Sequence, residues 1–230
     1  GAQSVESIRP ADIQEIGALI NEAPHLRFII TVAPEIEGVR ALIEHFRKQI
    51  VFSIGHTAAD YSDAVAALEW GASHFTHLFN AMTGMHHREP GVVGAALVSA
   101  AATAELIADG IHVHPAVLRV ATLAMPNRIA LVTDAVRAAG MPRGKYKLYD
   151  HEFTVTESGG ARLGNGTLAG STLTMQRAVQ NMVLATEVPA RILGIGDRKG
   201  RIAAGYDADL VVLTAKFDVS RVFVRGRELR

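Results

Sequence analysis

IVFSIGHTAADYSDAVAALEWGASHFTH, residues 50–77, is the stretch on which the fold turns. It opens on Ile50–Ile54, a β-branched and aromatic run too short for a helix. It passes through Gly55-His56-Thr57 into the helical pattern Ala59–Trp70, opened by Asp60. After Gly71 a second short run, His74–Thr76, ends on His77. An apolar strand, a helix and another apolar strand make the parallel βαβ unit, whose crossover needs a dozen or more residues. The two histidines stand 21 residues apart, as successive strand ends would.

The same alternation extends outward. Upstream lie a strand at Phe28–Ala33 and a helix at Ile36–Lys48, the helix preceded by Pro34-Glu35. Downstream come strands at Ala104–Ala108 and Arg128–Thr133, with a helix at Pro115–Met125 whose proline suits the first helical position. Strands buried on both faces and joined through helices form a parallel sheet, so a (β/α)₈ TIM-like barrel is the expected α/β architecture. Such a barrel runs to about 250 residues, and five or six βα units are visible here. The barrel is therefore expected to be incomplete at its N-terminal side. Beyond it, Lys145–Val155 alternates as a hairpin does, Gly159, Gly160, Gly164 and Gly166 punctuate a loop, and Ser171–Ala185 reads as a last helix. Ala208–Leu213 and Val219–Val224 read as strands of a small β-layer. The expected division is a partial barrel over 1–195 and accessory strands over 196–230.

Composition narrows the partners. Lys+Arg and Asp+Glu balance at 23 each among 230 residues, so no basic field draws the chain to nucleic acid or to an anionic membrane. A small molecule is the expected partner. Cysteine is absent, which removes disulfides and thiolate metal sites and suits a cytoplasmic protein. No secretory signal is visible at Gly1-Ala2-Gln3-Ser4. Val92–Ala108 is apolar, but its alanines and its Ser99, Thr103 and Glu105 mark a buried helix followed by a strand.

Each strand then ends in a residue capable of chemistry: Glu35, His56, His77, His112 and Asp134. In a parallel barrel the C-terminal strand ends converge on one face, where active sites of this fold are built. Two imidazoles and a carboxylate there suit a borderline divalent cation, most simply zinc, with His56 and His77 as candidate ligands. Glu35 reads as a helix-capping charge or as a group supporting a ligand. His25, His45, His74 and His151 read as structural.

Gly55-His56-Thr57, Thr76-His77-Leu78-Phe79-Asn80-Ala81-Met82, Arg88-Glu89-Pro90-Gly91, Ile107-Ala108-Asp109-Gly110-Ile111-His112 and Leu131-Val132-Thr133-Asp134-Ala135 together resemble the N-acetylglucosamine-6-phosphate deacetylase family of amidohydrolases. Gly166–Ser171 and Gly205–Leu213 extend the resemblance over nearly the whole chain. It implies hydrolysis of N-acetylglucosamine 6-phosphate to glucosamine 6-phosphate and acetate. It also implies a divalent metal, zinc or iron, on His56 and His77, with Asp134 as catalytic acid/base. Asn80, Ala81, Arg88, His112, Leu168, Ala169 and Gly170 would contact the phosphosugar. Arg88 would serve partly across the interface of a homodimer.

The departures from that pattern define two alternatives. The family's metal-binding glutamate belongs to a motif upstream of the stretch that Gly1-Ala2-Gln3 resembles, and the helix between Asn181 and Pro189 is shorter than the family's. A catalytically inactive phosphosugar-binding fragment is the first alternative, and the chain as given is expected to show little turnover. Another amidohydrolase, such as a dihydroorotase-like enzyme, is the second. The His77–Met82 run argues against it.

Overall fold

The apolar runs become strands, and the strands pair in the order in which they occur. The computed structural model describes residues 5–148, 151–182 and 187–229. Helix α1 (Ile13–Glu22) leads into β1 (Phe28–Val32), α2 (Val39–Phe46), β2 (Ile50–Ile54), α3 (Tyr61–Trp70), β3 (His74–Phe75), α4 (Gly91–Val98), β4 (Thr103–Leu106), α5 (Pro115–Ala124) and β5 (Ile129–Leu131). The sheet order is β1-β2-β3-β4-β5, and each neighbouring pair is parallel. A singly wound sheet whose order never reverses is a barrel wall, unlike a doubly wound sheet, which has a switch point. The five described staves form an open wall, where a closed barrel of this kind has about eight.

Burial explains why the wall holds. Phe52, Ile54, Phe75, Leu106 and Ala104 are fully buried along the strands. Ile43 of α2, Ala64 and Ala67 of α3, Val92 and Ala96 of α4 and Ala121 of α5 meet them from the helical layer. Removing a phenylalanine-sized side chain from water is worth about 1.5–3 kcal/mol. Small residues on the helices let them seat close to the sheet. On the opposite face the Thr76 hydroxyl lies 2.9 Å from that of Thr31 and 2.5 Å from that of Ser53, a polar tie across β1, β2 and β3.

Two antiparallel sheets follow: β6 (Gly144–Leu148), β7 (His151–Val155) and β8 (Ala161–Leu163), then, beyond α6 (Met175–Met182) and α7 (Glu187–Ile192), β9 (Leu210–Leu213), β10 (Val219–Val224) and β11 (Arg227–Leu229). The first carries its own small core of Ala138, Phe153, Val155, Ala161 and Ala169.

The boundaries differ from expectation for local reasons. The α2 helix begins at Val39 because Gly38 is left-handed (φ 83°) and packs against Ala11, where a Cβ would lie 2.8 Å from the Ala11 carbonyl oxygen. The α3 helix begins at Tyr61 because Asp60 caps it reciprocally with Asp63. Part of the expected glycine-punctuated loop is strand β8, whose three residues are too few to show a period. The expected last helix is helical over Met175–Met182. Residues 183–186, where the shortened segment was expected, lie outside the described residues. Helix α1, capped by Asp12, was not anticipated. No helix is long and apolar enough to cross a membrane among the described residues.

Candidate active site

Several of the chain's unusual backbone conformations fall just past strands of the wall. His56 (φ 49°), His77 (φ 28°), Phe79 (φ 81°), Ala81 (φ 48°) and Asp134 (φ 48°) are all left-handed without being glycine. Such residues cost about 1–3 kcal/mol each and persist only where surrounding contacts hold them. Here those contacts are identifiable. The His77 amide donates to Glu105 Oε2 at 3.3 Å, and the Asn80 side-chain amide donates to the His77 carbonyl at 3.2 Å. The Asp134 carbonyl accepts the Ser171 amide at 2.8 Å, and the Val136 amide returns to the Ser171 carbonyl at 2.9 Å. Gly170 is required beside Asp134: its φ is +68°, and a Cβ there would come within 2.9 Å of the Asp134 carbonyl oxygen and 2.7 Å of Val136.

The held side chains meet. His56 Nε2 and His77 Nε2 are 2.8 Å apart, with the rings edge to face at 4.6 Å between centroids. They open with Asp134, His112, Asn80, Ala81, Leu168 and Gly170 on a cavity of about 600 Å³. Its remaining lining includes Val136, Arg137, Leu148 and Thr167. A second opening of about 670 Å³, on the inner face of the wall, is also bordered by His56, His77 and Asp134, and reaches Glu35.

The electrostatics divide the titratable groups into roles. Burial, with His77 beside it, lowers the His56 imidazole to about 4, so the ring stays neutral and keeps a lone pair. Burial pushes the Asp134 carboxyl up; His77 and His112 partly oppose this, and Glu105 adds to it. That shift occurs although Asp134 lies open at the cavity mouth. Burial would also raise Asp109, but the hydrogen bonds from His112 and the Ile111 amide hold it below the usual carboxylate range.

Two expected residues sit elsewhere. Arg88 lies on an exposed loop bordering a separate cleft with Tyr61, Thr83, His86 and Glu89, its guanidinium 2.6 Å from His87 Nε2. Ala169 is fully buried in the core of the first antiparallel sheet, its amide donating to the Ala161 carbonyl at 2.9 Å. Glu35 accepts hydrogen bonds from the Thr57 hydroxyl and, at 2.7 Å, from the Ala58 amide, so it buttresses the turn that follows His56. His74 is structural: its Nδ1 lies 2.7 Å from the Thr103 hydroxyl and its Nε2 3.4 Å from Glu105.

Two residues of the site were not foreseen. Asp109 holds His112 Nδ1 at 2.6 Å and accepts the Ile111 and His112 amides at 2.8 Å each. Its i, i+3 spacing from His112 was a readable signal. Arg137 on the cavity rim had none, since an arginine in a loop is ordinarily a solvated charge.

Zinc–nitrogen bonds of about 2.0–2.1 Å require two ligating nitrogens within about 4 Å of each other, and the two Nε2 atoms satisfy this. A low imidazole pKa also fits ligation. No group of three or more His, Cys, Asp or Glu arranged to hold a metal occurs among the described residues. His77 Nδ1 is buried without a partner among them, where ligating histidines usually donate to one. By the spacing of their Nε2 atoms, His56 and His77 fit as two of the residues that would hold such an ion.

Comparison with known proteins agrees with this layout. The chain is 40% identical over 240 residues to N-acetylgalactosamine-6-phosphate deacetylase of Escherichia coli O157:H7, covering 99% of this chain and 63% of the relative. It is 41% identical to N-acetylglucosamine-6-phosphate deacetylase of Bacillus subtilis (strain 168), covering 98% and 60%. The crystal structure of N-acetylglucosamine-6-phosphate deacetylase from Pasteurella multocida matches with a TM-score of 0.91 at 30% identity, over 100% of this chain and 63% of that one. The chain spans about three fifths of the length of these relatives (63% and 60% of the two curated ones). The amidohydrolase family model matches residues 13–229. On that match, and on a barrel wall whose strained strand ends gather two histidines and an aspartate at one cavity, the chain belongs to the amidohydrolase family.

Proposed function

We propose that the native protein carrying this sequence hydrolyses the amide of N-acetylglucosamine 6-phosphate to acetate and glucosamine 6-phosphate. The observation that carries the reading is the convergence of His56, His77, His112 and Asp134 on one cavity. Relatives named as deacetylases of amino-sugar 6-phosphates support it. A cavity of about 600 Å³ suits a phosphosugar.

An acetamide resists water because its carbonyl is weakly electrophilic and its amine leaves poorly. Asp134, which lines the cavity, would accept a proton from the attacking water and return it to the departing nitrogen, a service worth about 10²–10⁴ in rate. The upward push on its carboxyl favours a group that both takes and gives a proton. His112 faces the cavity while its Nδ1 is held by Asp109. Asp109 thereby fixes the ring's orientation, and Nε2 is the atom left to serve the carbonyl oxygen as negative charge develops. A divalent metal, most simply zinc with iron as the alternative, would be held by His56 and His77 and would supply Lewis acidity.

Residues 1–195 would serve as the barrel portion and 196–230 as accessory strands. Asn80, Ala81, Leu168 and Gly170 would touch the sugar, with Ala169 fixing the backbone between the last two. Arg88, on its separate cleft, would reach the phosphate of a neighbouring subunit in a homodimer. The absence of cysteine accords with a cytoplasmic location.

The galactosamine epimer is the second reading, favoured by the 40% identical E. coli relative. Acetate release from N-acetylglucosamine 6-phosphate and N-acetylgalactosamine 6-phosphate, assayed side by side, separates the two. Faster release from the gluco epimer supports the first reading and faster release from the galacto epimer the second. Release from neither refutes both.

A further inference from the structure

The cavity contains one side chain whose charge the hydrolytic chemistry does not use. Among the described residues lining it, Arg137 is the one arginine or lysine; the other ionisable groups are His56, His77, His112 and Asp134. The side chain of Arg137 makes no hydrogen bond or ion pair with any described residue. Its backbone, by contrast, is fixed on both sides. The Val136 amide donates to the Ser171 carbonyl at 2.9 Å, and the Ala139 amide donates to the Val136 carbonyl at 2.9 Å. Ala138 is 1% exposed in the core of the first antiparallel sheet, and Val136 packs against the same core. Residues 136 and 138 therefore face inward, and Arg137 projects outward at the rim. The result is a permanent cation on an anchored segment, following Asp134 by three residues and turned toward the same space.

We propose that Arg137 binds the anionic group of the substrate within its own chain, and so sets the preference for a phosphorylated sugar. This rests on the reading of the cavity as a phosphosugar site, and it goes beyond that reading in assigning phosphate recognition to a residue of the same chain, distinct from Arg88. A guanidinium presents a planar fork of donors that matches two oxygens of a phosphate. Among the described residues the guanidinium has no ion pair to break before it binds. The carboxyl of Asp134 explains why a cation is wanted: a dianionic ligand entering beside a carboxylate is repelled unless a positive charge offsets the repulsion.

The test is calorimetric titration of the native protein carrying this sequence with glucosamine 6-phosphate and with glucosamine, for the unaltered protein, Arg137→Gln, Arg137→Lys and Arg119→Gln. Arg119 is an exposed arginine of α5 outside the cavity and controls for loss of net charge. The expected result is a preference for the phosphorylated sugar that falls by roughly tenfold or more in Arg137→Gln, is partly retained in Arg137→Lys, and is unchanged in Arg119→Gln. The affinity lost in Arg137→Gln should be the part that salt also weakens. An Arg137→Gln protein of native circular dichroism that keeps the full preference overturns the proposal and leaves the cavity assignment standing. Equal binding of both sugars by the unaltered chain also overturns it. Failure of the unaltered native protein to bind either sugar overturns the phosphosugar reading, and this proposal with it.

Discussion

Replacing Asp109 separates the charge it carries from the turn it holds. One of its oxygens accepts the Ile111 and His112 amides, and the other holds His112 Nδ1 at 2.6 Å. The two side chains are only 9% and 4% exposed, so water does not substitute readily for either partner. Asp109→Asn keeps an oxygen for the two amides and exchanges a charged acceptor for an NH₂ group. The loss is one hydrogen bond to a charged group, about 1.5–3 kcal/mol. Asp109→Ala strands both amides and the ring nitrogen, for a total of about 3–5 kcal/mol. Urea unfolding at constant m reads both values. The dependence on pH has a definite sign. The folded carboxyl titrates below its unfolded value of about 3.9, so its contribution is complete above that value and is lost as pH falls through the folded pKa. The gap between the unaltered protein and Asp109→Asn should therefore be full at neutral pH and close in acid. An Asn variant within about 0.5 kcal/mol of the unaltered protein at neutral pH would refute the reasoning. So would a gap that acid leaves untouched.

The remaining expectations concern the core, the metal and the carbonyl oxygen. Phe52→Ala should cost about 3–5 kcal/mol by leaving a cavity in the wall, whereas Leu123→Ala, at a residue 73% exposed, should stay within about 0.5 kcal/mol; urea midpoints check both. If His56 and His77 share one ion, His56→Ala and His77→Ala should each abolish zinc binding in calorimetry and the double variant should lose nothing further; additive losses would mean two separate sites. In the native protein His112→Asn should lower kcat by about 10²–10³, as expected for a donor that acts on developing charge, and pre-steady-state acetate release measures it.

The barrel wall was legible because its signals are redundant. Ile50–Ile54 and His74–Phe75 carry the composition of buried strands, Asp60 with Asp63 marks a helix start, and matched spacing puts His56 and His77 at equivalent strand ends. The site was legible for the residues at those ends. What the sequence hid depends on contacts distant along the chain. Ser171, which holds the Asp134 backbone, lies 37 residues away across the parallel bridge between Ala135 and Ser171. Strand β8 is defined by pairing with β7 and not by any period of its own. Arg137 is indistinguishable in sequence from a solvated arginine until the cavity beside it is drawn. Arg88 shows the converse: its motif is conspicuous, yet within one chain it borders a different cleft.

The most direct test of the account is kcat for acetate release from N-acetylglucosamine 6-phosphate by the native protein carrying this sequence, compared with its Asp134→Asn variant. Metal content and substrate affinity are measured in parallel. Asn fills the same space and hydrogen-bonds, but it neither accepts the proton of the attacking water nor delivers one to the amine. If Asp134 carries the proton, kcat falls by about 10²–10⁴ while KM and bound metal hardly change. A variant that keeps most of its turnover would show that the proton is carried by another group, and the role given to the strand-end aspartate would be wrong.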